Sequence, residues 1–228
     1  MKRLSGLLLV LLISLTLHNW INLILIRCSG CWYMKDVFRH IRAGIKHRVT
    51  HLKRFISTIN TPEMQANEIC FILKSEALSM IKAGKMFNHE NDLKLIEEWN
   101  DNFDLYAVQT NHGETHIFGC IQVKTSIRDR VGRDDQFSKN AMESNFWVAE
   151  AVLNGDFFHM PKYYAMVNGG SITYPENNWH GVYVMAGIDS DGRIYRDENF
   201  NLMAEHAVIA AKCFGVNRSA LTRTWKAD

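Results

Sequence analysis

Proline and cysteine are both scarce, at three and five of 228 residues. With only fourteen glycines as well, a collagen-like or Pro/Gly low-complexity chain is excluded. The cysteines, Cys28, Cys31, Cys70, Cys120 and Cys213, are odd in number and irregularly spaced. That argues against a disulfide framework and for a reducing compartment. Cys28-x-x-Cys31 is half of a zinc pattern, and no second close pair completes it. The GxxxxGK[ST] phosphate loop is missing, so an ATP-driven motor is not supported. So is the G-x-S-x-G elbow of serine hydrolases. Asn88-His89-Glu90-Asn91 lacks the partner histidine of a His-Asn nuclease, and His159, His180 and His206 are scattered.

Acid is absent from residues 1–33, which carry Lys2, Arg3 and Arg27. Residues 35–54 hold seven basic side chains against Asp36 alone. The remainder, 55–228, is acidic on balance, with 16 basic and 23 acidic residues. A uniformly basic nucleic-acid binder is thus excluded, and any anion-binding surface is local. At 47% hydrophobic and 22% charged, the composition is that of a globular protein.

Residues 4–26 contain no charge. As a helix rising ~1.5 Å per residue they would cross a ~30 Å hydrocarbon core. The stretch reads as a transmembrane anchor or signal sequence, or as the product of too early a start codon ahead of Met34. His18, Asn19 and Asn22 interrupt it, and no Ala-x-Ala site follows it. Residues 1–33 are therefore set apart as a leader, and 34–228 as the folded domain. A cytoplasmic location is expected on the start-codon reading, and a chain anchored through 4–26 on the other.

Beyond the leader, Val37, Phe38, Ile41, Ile45, Val49, Leu52 and Phe55 recur every three to four residues among basic ones. This predicts an amphipathic helix over 35–57 with a cationic face. Thr61-Pro62 opens a second helix, with Ile69, Ile72, Leu73, Met80 and Ile81 as its stripe and Gly84 as its stop. A short helix is expected near 91–99. The period then changes. Residues 103–109 and 115–124 read as strands around an Asn111-His112-Gly113-Glu114 turn. A helix over 135–153, strands at 162–168 and 181–187, and a helix over 202–214 ending at Gly215 complete the pattern. Tyr163, Tyr164, Tyr174, Trp179 and Tyr183 are expected in core and sheet packing. The order suits an α/β domain with a mixed sheet.

The hairpin carries the chemistry. With the turn centred between His112 and Gly113, or on Gly113, position 104 lies opposite 121 or 122. In the second register Asp104 and Gln122 are cross-strand neighbours, Cβ atoms ~5 Å apart. Lys124 shares the face of Gln122, while Ile121 and Val123 point away. One face then presents a carboxylate, an amide carbonyl and an ammonium. Carboxylate and carbonyl oxygens are hard ligands for Mg²⁺. A metal polarises a phosphoryl oxygen and acidifies a bound water. A lysine balances charge developing on the phosphorane.

Asp104 ahead of alternating apolar residues, with an apolar strand ending Gln122-Val123-Lys124, resembles the PD-(D/E)xK nuclease superfamily. Its continuation, Lys124-Thr125-Ser126-Ile127-Arg128-Asp129-Arg130, is similar to the K-[ST]-[ST]-x-R-[DE]-R run of several type II restriction endonucleases. The resemblance spans residues 100–168. It implies a restriction-endonuclease-like mixed central sheet flanked by helices. It also implies a Mg²⁺-dependent, sequence-specific endonuclease for double-stranded DNA that works as a homodimer, leaves 5′-phosphate ends and has a companion DNA methyltransferase. Asp104 becomes the metal-binding acid, Gln122 its partner ligand and Lys124 the catalytic lysine. Gln122 departs from the pattern, which has Glu or Asp there, and removes one negative charge. Glu68, Glu76 or Asp101 is then a candidate compensating acid. Arg128, Arg130 and Arg133 follow as candidates for phosphate or guanine contact.

Two rival readings remain open. One is a membrane-anchored, non-catalytic partner-binding protein. The other is a degenerate nuclease fold serving as a DNA-binding module.

Overall fold

The computed structural model describes residues 45–126 and 131–227. The apolar leader, Cys28-x-x-Cys31 and the first part of the basic helix lie outside the described residues. Among the described residues, no helix is long and apolar enough to cross a membrane.

The basic amphipathic segment enters the structure as helix α1 (Ile45–Ile59). Leu52, Phe55 and Ile59 are buried while Lys53 and Arg54 face out. Thr61 then caps α2 (Pro62–Ala66), accepting from the N–H of Met64, with Pro62 at the first turn. The expected long second helix stops there. Ile69–Leu73 is strand β1 instead, and the helix resumes as α3 (Lys74–Lys82). Ile-Cys-Phe-Ile-Leu is β-branched and aromatic, and sheet pairing outweighs the 3.6-residue spacing of its apolar members. Glu68, at φ 55°, turns the chain between α2 and β1. Asn60 guards the open edge of β1, donating to the carbonyl of Phe71 and accepting its N–H at 3.2 and 2.8 Å.

Helix α4 (Glu90–Trp99) leads to the hairpin of β2 (Leu105–Asn111) and β3 (Glu114–Ser126). His112 and Gly113 both have positive φ, 51° and 84°, which suits a two-residue hairpin turn. The turn end pairs Asn111 with Glu114 and Val108 with Ile117, but Ala107 pairs with Gly119. Phe118 is therefore an extra residue, a β-bulge, and it moves the register by one. Both registers expected from the sequence thus occur, one on each side of the bulge. Asn88 holds the main chain of Ile117 beside it, with both amide contacts at 2.7 Å.

Next come α5 (Val131–Glu143) and β4 (Trp147–Asn154). The single helix expected over 135–153 is corrected by this break. Trp-Val-Ala-Glu-Ala-Val is buried throughout, as in a parallel strand covered on both faces, so it shows no alternation. Residues 162–168 are likewise not a strand but lie in helix α6 (Pro161–Asn168), opened by Pro161. Strand β5 (Gly181–Ala186) matches expectation, and the short β6 (Ile194–Arg196) was not anticipated. Helix α7 (Asn201–Asn217) runs through Gly215 rather than ending at it.

The six strands line up in chain order. β1, β2 and β3 are antiparallel, and β3 to β6 parallel. Leu105, Ile121, Val123, Ala149 and Ala151 bury one face beneath α1 and α7, where Phe55 meets Phe200 edge-on at 5.2 Å. Tyr106, Cys120, Val148 and Val152 bury the other beneath α4, α5 and α6. This is the mixed, helix-flanked α/β sheet expected from the resemblance.

Candidate active site

Asp104 sits one residue ahead of β2. Its N–H donates to the carbonyl of Ile121 at 2.9 Å, and its carbonyl accepts from the N–H of Lys74 at 3.3 Å. Since Leu105 pairs with Ile121, Asp104 lies across from Gln122. Its carboxylate turns onto β3, where Oδ2 accepts from the N–H of Val123 at 2.9 Å. Lys124 follows two residues after Gln122, beside Val152 of β4. Cys120 and Val152 belong to the α4–α6 face, and Gln122 and Lys124 share it by alternation. The bulge at Phe118 makes this possible. Without it, the register of the turn would set Asp104 against Ile121, which faces the other core.

Gln122 is fully buried. Its Oε1 accepts from Trp179 Nε1 at 3.0 Å and from Ser138 Oγ at 3.4 Å. Its Nε2 donates to the carbonyl of Asn102 at 3.1 Å. Both lone pairs of the oxygen expected to ligate metal are thus engaged with protein donors. The amide joins β3, α5, the Trp179 segment and the chain leading to Asp104.

Three acids were expected to compensate for it. Glu68 is at the wrong end: Ile69 pairs with Gln109, five residues and roughly 17 Å along β2 from Asp104. Asp101 is exposed and paired with Lys74 at 3.1 Å. Glu76, in the first turn of α3, is exposed. An acid that the sequence reading passed over stands nearer. Glu150 of β4 pairs with Gln122 and is buried, with 2% of its surface exposed. Val148 and Val152 on either side of it face the α4–α6 core, so Glu150 shares the face of the site. Asp104, just ahead of β2, Gln122 of β3 and Glu150 of β4 form a row across the sheet, with a neutral amide between two carboxylates. Glu150 was missed because its segment read as helix. A lone acid inside a fully apolar strand was the available signal.

Arg128 and Arg130 lie outside the described residues, and Arg133 belongs to the first turn of α5. Among the described residues, no three His, Cys, Asp or Glu side chains gather closely enough to hold a metal ion. The scattered histidines have other partners. His180 is buried, accepts from the N–H of Val148 and meets the carbonyl of Thr222, both at 2.9 Å. Burial holds its pKa down to about 4; the Thr222 contact opposes this and the charge of Arg193 adds to it. His206 meets the hydroxyl of Tyr183 at 2.7 Å beneath the opposite face, and His159 the carbonyl of Gly187 at 3.0 Å. Trp179 and Tyr183 are core residues as expected, and Trp179 also donates to Gln122.

A family model described as BsaWI restriction endonuclease type 2 matches residues 77–219. That segment contains Asp104, Gln122, Lys124 and Glu150. A solved DNA complex of the pre-specific restriction endonuclease BsaWI superposes with a TM-score of 0.73 at 32% identity, covering 94% of this chain and 73% of that one. A DNA complex of the specific restriction endonuclease AgeI aligns over 75% of this chain and 73% of that one, at 12% identity and a TM-score of 0.47. No curated protein sequence matches. By the extent of the family match and the identity to BsaWI, the chain belongs to the BsaWI family of type II restriction endonucleases, which are site-specific deoxyribonucleases.

Proposed function

We propose that the protein cleaves double-stranded DNA at a specific sequence by Mg²⁺-dependent hydrolysis, leaving 5′-phosphate ends. The observation that supports this is the β2–β3 register past the bulge at Phe118, which sets Asp104 across from Gln122 and on the same face as Lys124. Support for DNA as substrate comes from the BsaWI relative, solved as a DNA complex.

The donor set fits a small hard cation. Mg²⁺ takes one or two carboxylates and completes its shell with waters and substrate phosphate oxygens. Asp104 is the protein ligand nearest the surface, and Glu150 is the second acid on that face. Bound there, the ion supplies charge neutralisation on the phosphoryl oxygens and lowers the pKa of a water.

The chain's own groups do the rest. The N–H of Val123 fixes the orientation of Asp104. Lys124 stabilises the charge that grows on the phosphorane and orients the attacking water. Water adds to phosphorus as the P–O3′ bond breaks. The departing O3′ takes up a proton, and the phosphate stays on the 5′ strand end. A duplex with two scissile strands suits a homodimer, each copy serving one strand. A chain that cuts specific sites also needs a methyltransferase to protect its own genome.

The test is incubation of the purified full-length protein with plasmid DNA and Mg²⁺. Discrete fragments with 5′-phosphate ends support the proposal. Salt-sensitive DNA binding without cleavage at any Mg²⁺ concentration contradicts it and favours a binding module.

A further inference from the structure

We infer that Gln122 is a positioning residue, whose neutral amide braces Asp104 through Asn102 rather than ligating the metal. The inference rests on the nuclease reading and goes beyond it.

The amide is used at both ends. Its Nε2–H donates to the carbonyl of Asn102, two residues before Asp104, while its Oε1 takes N–H and O–H donors from Trp179 and Ser138. An amide is suited to this: it donates from one end and accepts at the other. A carboxylate is not, because one of its oxygens would face the carbonyl oxygen of Asn102. An ionised acid here would also stand between Asp104 and Glu150 in the row across the sheet. Three like charges in an interior site are strongly disfavoured. The neutral side chain is therefore what the surroundings demand.

The brace has a direct consequence for Asp104. Two contacts already tie that residue to β3, through the carbonyl of Ile121 and the N–H of Val123. Gln122 adds a third to the segment just before it and anchors that segment to α5 and Trp179. The joint therefore sets how far Asp104 stands from Lys124. Displacements of about 1 Å in such sites lower rates by up to ~100-fold.

Two variants test this. In Trp179→Phe, which removes a donor from the joint and touches neither Asp104 nor Lys124 through any hydrogen bond, kcat falls ~10- to 100-fold. KM for DNA stays within about twofold, and the protein remains folded at the assay temperature. In Gln122→Glu, the melting temperature without Mg²⁺ falls below the wild type's by an amount that depends on pH. Burial and the flanking acids raise the new carboxyl's pKa. Protonated, it still donates to Asn102, so the deficit against the wild type shrinks as the pH falls and widens as the pH rises. Unchanged kcat in folded Trp179→Phe overturns the brace. So does a Gln122→Glu enzyme that cleaves as well as wild type at lower Mg²⁺, the behaviour of a ligand. Absence of cleavage by the wild type itself overturns the nuclease reading instead.

Discussion

The main-chain N–H of Val123 donates to Oδ2 of Asp104 at 2.9 Å, so the strand that carries Lys124 also aims the acid. Asp104→Asn keeps an oxygen for that N–H but loses the charge. Cleavage in Mg²⁺ is expected to fall by at least ~100-fold with little change in melting temperature. Steady-state cleavage beside a thermal melt checks this.

The register depends on close packing around the bulge. A Cβ at Gly119 would lie 2.8 Å from a Trp147 ring carbon and 3.1 Å from Ala107 Cβ. Gly119→Ala is expected to destabilise the fold by about 1–3 kcal/mol through overpacking. It should also weaken cleavage by disturbing the stretch that leads to Gln122. Denaturant unfolding gives the first quantity and initial cleavage rates the second.

How much of this was legible follows from which residues show their surroundings. Two runs rich in strand-forming apolar residues flank an Asn-His-Gly-Glu turn whose central residues have positive φ, so strands and turn were readable. The bulge was not, because Phe118 is an apolar residue like its neighbours. β4 was hidden by burial on both faces, and Glu150 with it. Residues 162–168 read as a strand, but Pro161 at a first helical turn decides otherwise. Trp179 read as packing because nothing in a sequence tells which buried indole N–H meets which amide.

Among the described residues, two groups shifted in opposite directions link stability to acid pH. His180 is held down to about 4 by burial, with the Thr222 contact opposing and Arg193 adding. Its contribution is present above the unfolded value near 6.5 and is lost as the pH falls toward 4. Asp197 is raised to about 6 by burial, against the N–H groups of Met203, Asn201 and Leu202. Its contribution is present at low pH and is lost as the pH rises through about 6. Between about 4 and 6 the two offset each other. Asp197→Asn removes the offset, so its melting temperature should drop more steeply than wild type's from pH 6 to 4. Parallel profiles would contradict this.

Arg218 closes the end of the fold. Its guanidinium grips Asp92 of α4 through two nitrogens, at 2.5 and 2.9 Å, donates to the carbonyl of Ser144 at 2.6 Å and lies over the rings of Phe146 and Phe214. Arg218→Ala leaves Asp92, only 10% exposed, without that partner and is expected to destabilise by ~3 kcal/mol. Arg218→Lys should recover only part, because an ammonium cannot make the paired contact. Both are read from urea midpoints.

Lys124→Ala tests the account most directly. The wild type should convert plasmid DNA into discrete fragments in Mg²⁺. The folded variant should bind the same DNA and cut it at least ~100-fold more slowly. Fragmentation at the wild-type rate by folded Lys124→Ala would contradict the proposed site.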